Sequence, residues 1–203
     1  MACIEVPPVL ADPILDQKAV QDLQTLLGTE ATWIEKVFAI ARIGVSKLEG
    51  GGVFKYPQVW KGNTTTQKGE YLDIRPDDSL TAYSFFTVNG QTEFGVDDEV
   101  TYPLSLIVWY NLPKLNGAKT YDYSRELAGH IVKIFDASVY KNKISGLSID
   151  FNPENIFSDY SMSQEDTQFL MYPYGAFKIS FNFLNYVEVD CFGNFTAGAE
   201  ACE

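Results

Sequence analysis

Residues 102–137 restrict the possible folds more than any other stretch of the chain. Residues 102–112 read YPLSLIVWYNL, uncharged and rich in β-branched and aromatic side chains, the composition of a buried pleated strand. Alternation puts Tyr102, Leu104, Leu106, Val108 and Tyr110 on one face, and Ile107 and Trp109 on the other. A strand apolar on both faces has to be covered on both, which predicts a central place in the sheet. Past the polar loop 113–119 the apolar spacing changes to the helical period. Tyr123, Leu127, Ile131, Ile134 and Phe135 line one side, with Arg125, Glu126 and Lys133 opposite. That pattern predicts an amphipathic helix over 121–137.

Upstream, Asp12-Pro13 supplies an N-cap and a first helical residue. The helix it opens presents Val20, Leu23 and Leu27 and is expected to stop at Gly28. Thr29 caps a second, longer helix whose stripe is Ile34, Val37, Phe38, Ala41, Val45 and Leu48, widened by Trp33 and Ile40 and ended by the three glycines 50–52. Residues 53–61 read as a strand that Pro57 confines to an edge or a bulge, since proline donates nothing to a ladder. Further strands are expected at 71–75, with Leu72 and Ile74 on one face, and at 80–88. Asn89-Gly90 signals a hairpin turn, with 91–99 a short return strand or a loop.

Downstream come a strand at 144–151, a helical turn at 153–157 inside a long acidic loop 152–167, and a short strand at 169–172. A long strand at 177–189 carries Phe177, Ile179, Phe181 and Phe183 on one face. The fold class that follows is α+β: a mostly antiparallel β-sheet flanked by two or three α-helices. One domain over 12–189 lies between an N-terminal arm, 1–11, held extended by Pro7-Pro8, and a C-terminal tail, 190–203.

Charge and cysteine usage narrow the function classes. With 203 residues and a net charge of −12, the chain lacks the basic surface that holds phosphate backbones. Its three cysteines, Cys3, Cys191 and Cys202, sit at the two ends without paired spacing, which suits a reducing compartment and no disulfide framework. With His130 the only histidine and no paired cysteine spacing, a zinc site is not expected. The first residues, without a basic start and with Glu5, are not expected to be a signal peptide, and no apolar run is long enough for a membrane span.

Motifs for phosphate cradling, nucleophile elbows or paired metal thiolates are missing from the sequence. His130, near the border of the apolar stripe, reads as a partly buried structural histidine, because no nucleophile neighbours it in a recognisable motif. The carboxylates Asp77-Asp78, Asp97-Asp98-Glu99, Asp159 and Glu165-Asp166 fall in expected turns without calcium-loop spacing. No catalytic, cofactor-binding or metal-binding residue is assigned. What remains is the aromatic content. Either it fills a core covered by helices on one face and loops on the other, or it meets another subunit, where Tyr and Trp are favoured. The candidate subunit-contact residues are Pro7, Pro8, Tyr56, Pro57, Trp60, Tyr83, Phe85, Trp109, Phe157, Tyr160, Tyr172 and Tyr174. The contact surfaces are expected at the Pro57-marked edge, the loop 152–167 and the two arms.

In its order of elements, with the strand 102–112, the helix 121–136 and the closing strand 177–189, the chain resembles the tail terminator (tail-completion) and neck proteins of long-tailed bacteriophages. The resemblance covers residues 12–189. It implies a structural virion protein at the head–tail junction, forming a homo-oligomeric ring expected as a hexamer and needing no cofactor. The implied partners are copies of itself, neighbouring tail-tube or connector proteins, and genome DNA that passes through the lumen without specific binding, with no membrane involved. The added N-terminal arm and the 152–167 segment keep a head–tail adaptor open. Outside the virion, a carboxylate-dependent hydrolase and a cytosolic binding module are the alternatives.

Overall fold

The structure, a computed structural model, describes residues 18–47, 51–60, 70–74, 79–95, 99–161 and 171–186. Helix α1, Lys18–Glu30, lays Val20, Leu23 and Leu27 against a sheet, each almost wholly buried. It runs through Gly28 instead of stopping there. The chain turns at Ala31, where the Ile34 amide donates to the Ala31 carbonyl at 2.9 Å. The Asp12-Pro13 helix start lies outside the described residues.

The expected second helix is absent. Residues 36–47 instead supply two strands, β1 (Lys36–Ile40) and β2 (Arg42–Lys47). Ile34, Val37, Ile40, Ile43 and Val45 are β-branched and Gly44 stands among them, so the stretch has weak helical propensity despite its spacing. β1 pairs in parallel with β5 (Ala82–Val88), and β2 pairs with β3 (Val53–Trp60) in a second sheet. The change of sheet falls at Ala41, whose amide still donates to Phe86 at 2.8 Å. The glycines expected to end a helix lie in the β2–β3 connection, where Gly51 has φ +89°.

The large sheet runs β1-β5-β7-β9-β8, with the two-residue β6 (Glu93–Phe94) attached to β7. β7, Glu99–Asn111, is its middle strand, as the two-sided apolar pattern requires. It pairs antiparallel with β5 and, along its full length, with β9 (Tyr174–Tyr186). β8, Ile144–Asp150, is the far edge. The strand after Asn89-Gly90 is not an immediate return. Val88 lies opposite Leu104, and after it only Glu93 and Phe94 pair with β7, opposite Thr101 and Val100. Met171 and Tyr172, expected in a short strand, are in a turn, while 162–170 and 187–203 fall outside the described residues.

Each face of β7 has its own core. Tyr102, Leu104, Leu106, Val108 and Tyr110 meet α1 and α3 (Ser124–Ala137), whose Ala128, Ile131, Ile134 and Phe135 are buried. Ile107 and Trp109 face the opposite way, into Ala41, Val59, Ile74, Ile156 and Phe157. These lie in or directly beside the small sheet β2-β3-β4, with β4 at Tyr71–Asp73, and the short helix α4, Pro153–Ile156. A short helix, α2 (Leu112–Asn116), follows β7, and the Tyr123 hydroxyl ties it to α3 by donating to Leu112 O at 2.6 Å. The architecture is therefore α+β in three layers: helices, a mostly antiparallel sheet, and a small antiparallel sheet with α4.

Pro57 corrects one expectation. It sits in β3, the middle strand of the small sheet, and not at an edge. In a strand the N and O of one residue point to the same side, and Pro57 O accepts from Ile74 N at 2.8 Å, on the β4 side. The missing N–H therefore falls on that side, one residue past the end of β4. Two residues back, Ser161 takes the place of β4. Its amide donates to Lys55 O at 2.8 Å and its Oγ accepts from Lys55 N at 3.2 Å.

Candidate interaction surface

The sequence-derived contact residues separate by burial. Tyr83, Phe85, Trp109 and Phe157 are closed inside the second core, and Pro57 is buried in the small sheet. The small sheet and α4 cover the face that was expected to carry loops or meet a neighbour, so these five offer no surface to another subunit. Tyr83 and Trp109 stack at 5.3 Å, and Trp109 and Tyr174 at 5.5 Å, with Phe38 edge-on to Tyr83 at 6.2 Å. This ladder crosses β1, β5, β7 and β9 and ties the strands together. Tyr160 is half-buried against Phe85 and Phe157, and burial raises its hydroxyl pKa.

Tyr56 and Trp60 lie on the outer face of the small sheet. Phe54 stacks on Tyr56 at 5.9 Å, Trp60 meets Tyr71 at 5.1 Å, and the Arg42 guanidinium lies 3.0 Å from the centre of the Tyr71 ring. Gln58 joins the two halves, accepting from Arg42 at 3.0 Å and donating to Asp73 at 2.8 Å. Of the twelve candidates, Tyr172 alone is a strongly exposed side chain among the described residues, at 65%. Pro7 and Pro8 lie outside the described residues.

The inner face of the small sheet carries the surface that the sequence reading missed. Val59, Leu72 and Ile74 turn this face onto the large sheet. Cross-strand pairing continues it along β2 and β3 through Ile43, Val45 and Val53. Those three are 48%, 58% and 52% exposed. The β2–β3 hairpin thus extends beyond the layer it covers, as an arm with an uncovered apolar face. The period-two run Arg42-Ile43-Gly44-Val45-Ser46 was the available signal. A second missed feature is Phe94, 80% exposed on β6.

His130 is exposed on α3, not partly buried, and its Nδ1 accepts from Trp33 Nε1 at 3.0 Å. Both border a shallow cleft of about 310 Å³ with Lys119, Tyr123 and Glu126. The polar groups there bind one another: Glu126 accepts from Lys119 and from the Tyr121 hydroxyl, the latter at 2.8 Å. The Lys119 bond, then the Tyr121 bond, hold the Glu126 carboxyl below the usual range. No group of three or more His, Cys, Asp or Glu suited to a metal occurs among the described residues. Of the expected carboxylate turns, Asp77-Asp78, Asp97-Asp98 and Glu165-Asp166 lie outside them. No helix among them is long and apolar enough to cross a membrane. Compared with known proteins, the chain matches no family model, no curated protein and no solved structure.

Proposed function

We propose that this chain is a structural subunit of a bacteriophage neck or tail, a tail terminator that assembles as a homo-oligomeric ring at the head–tail junction. The observation that carries the reading is the β2–β3 arm with Ile43, Val45 and Val53 uncovered. An apolar strand pair reaching past its own core is the kind of element that a neighbouring subunit covers. Two further features support it. Among the described residues the large sheet ends at β8 with one edge unpaired, which offers backbone groups to another chain. The net charge of −12 would keep DNA from adhering to a lumen wall. The mechanism is geometric: subunits associate by their arms and edges, and the closed ring supplies the passage.

Size exclusion with light scattering, followed by negative-stain imaging, tests this. Rings of one diameter are the expected result. A strictly monomeric species at high concentration, alone and with co-expressed capsid and tail proteins, would sink the proposal.

A further inference from the structure

Phe94, 80% exposed, and Val88, 42% exposed, share one face of the large sheet. Phe94 lies opposite Val100 and Val88 opposite Leu104, so both stand on the face that Tyr102 and Leu104 turn toward α1. β7 pairs with β9 along its whole length, so β6 has to lie on the β5 side of β7 and continue the line of β5. An apolar strip therefore runs from the end of β5 onto β6, from the level of Leu104 to that of Val100, about 13 Å.

The first turn of α1 points along this strip. The last turn hands the chain to Glu35, whose amide donates to Ala82 O at 3.0 Å, and Ala82 lies opposite Tyr110. Nearer the start of the helix, Asp22 lines a cleft with Tyr140. Tyr140 packs on Phe183 at 6.0 Å, and Phe183 lies opposite Tyr102. Gln24 Nε2 donates to Val37 O at 3.3 Å and holds the helix over the β1–β5 side. The helix thus runs against the direction of β5, and the chain before Lys18 enters it from the side of β6.

That chain brings apolar residues of its own: Val9, Leu10, Ile14 and Leu15. The α1 stripe of Val20, Leu23 and Leu27 would continue at 16 or 17, which are Asp16 and Gln17. Ile14 and Leu15 fall off the stripe and need a cover elsewhere. We infer that residues 9–17 of the same chain lie along the Val88–Phe94 strip, with Ile14 and Leu15 covering its two apolar side chains. About four extended residues span the strip. The covalent link to α1 gives the segment an effective concentration of about millimolar, which favours it over a separate copy. The inference does not depend on the assembly reading, whose β2–β3 arm belongs to the layer on the opposite face of the large sheet.

Photo-crosslinking in the full chain tests the contact. Phe94 is replaced by benzoylphenylalanine, which keeps an aromatic ring at an exposed position, and the protein is irradiated in a mixture with nitrogen-15-labelled copies. Mass spectrometry of the digest then shows which residues are joined and whether they come from one chain. Crosslinks to residues 9–17 within a single chain are the expected result. Adding Ile14→Asp and Leu15→Asp should cut their yield about tenfold, since charged side chains do not cover an apolar strip. Crosslinks between labelled and unlabelled chains would give the strip to a second copy and overturn the inference. So would crosslinks to any other part of the same chain, or none at all. A yield unchanged by the two aspartates would overturn the pairing of Ile14 and Leu15 with the strip.

Discussion

Trp33 donates its indole N–H to Nδ1 of His130 at 3.0 Å, joining the α1–β1 turn to α3 across 97 positions of sequence. The acceptor has to be the neutral tautomer with its proton on Nε2. Glu30 and Lys133 line a second cleft with His130, and Glu126 stands one turn back on α3. Trp33→Phe keeps the ring and removes the donor, and His130→Ala removes the acceptor. Each is expected to lower stability by about 0.5–1 kcal/mol. The double variant should lose less than the sum, because the second substitution removes a bond already broken. Urea midpoints of the four proteins measure this; strict additivity would show that the bond contributes nothing.

Glycine matters most where a ring lies over the backbone. A Cβ at Gly175 would stand 2.7 Å from the Tyr110 ring, which is buried and packs on Phe177 at 5.7 Å. The ring has no room to withdraw, so Gly175→Ala is expected to destabilise by about 1–3 kcal/mol. At Gly44 a Cβ would come as close, 2.6 Å, to Gln58 and Tyr56. Those side chains are only half-buried on an outer face and can swing aside. Gly44→Ala should therefore cost clearly less. Equal shifts in thermal midpoint would refute the distinction.

These contrasts follow from how differently the parts of the chain were legible. The two faces of β7 were readable because strict alternation over Tyr102–Tyr110 leaves one assignment, and the α1 stripe of Val20, Leu23 and Leu27 was readable for the same reason in the helical period. Residues 34–48 were not. Ile34, Val37, Phe38, Ala41 and Val45 fit a helical spacing, but β-branched residues around Gly44 prefer extended backbone, and the parallel pairing with β5 decides between them. The candidate surface was hidden for a different reason. Tyr83 and Trp109 have the composition of an interface, and so do Ile43 and Val45. Which pair ends up covered depends on where the small sheet packs, a long-range relation that local pattern does not encode.

Asp150 gives a pH dependence whose sign follows from its partners. It accepts from the Asn152 amide at 2.7 Å and from Asn155 Nδ2 at 2.8 Å. The first bond, then the second, hold its carboxyl below the ordinary 3.8. A carboxyl lowered in the folded state contributes stability that is complete above 3.8 and is lost as pH falls through its lower folded value. These bonds, with Lys178 Nζ on Asn155 O at 2.6 Å, seat the turn that presents Ile156 and Phe157 to the second core. Asp150→Ala should therefore be less stable than wild type at neutral pH, and the gap should shrink below pH 3.8. Urea midpoints across that range check it. A gap that stays constant or widens in acid would contradict the assignment.

Trp109 separates a core residue from a contact residue most sharply. It is wholly buried between Tyr83 and Tyr174, at the centre of the ladder that crosses four strands. Truncating an interface aromatic leaves the monomer folded and weakens association, whereas truncating a core aromatic opens a cavity and unfolds the monomer. Trp109→Ala is expected to cost about 3–5 kcal/mol in unfolding free energy. Tyr172→Ala, at an exposed position beyond the end of the ladder, should leave that free energy within about 0.5 kcal/mol. Unfolding curves recorded at a concentration where the protein is monomeric keep assembly out of the comparison. A Trp109→Ala monomer as stable as wild type would return this residue to the list of subunit contacts and would mean that the small sheet does not close over it.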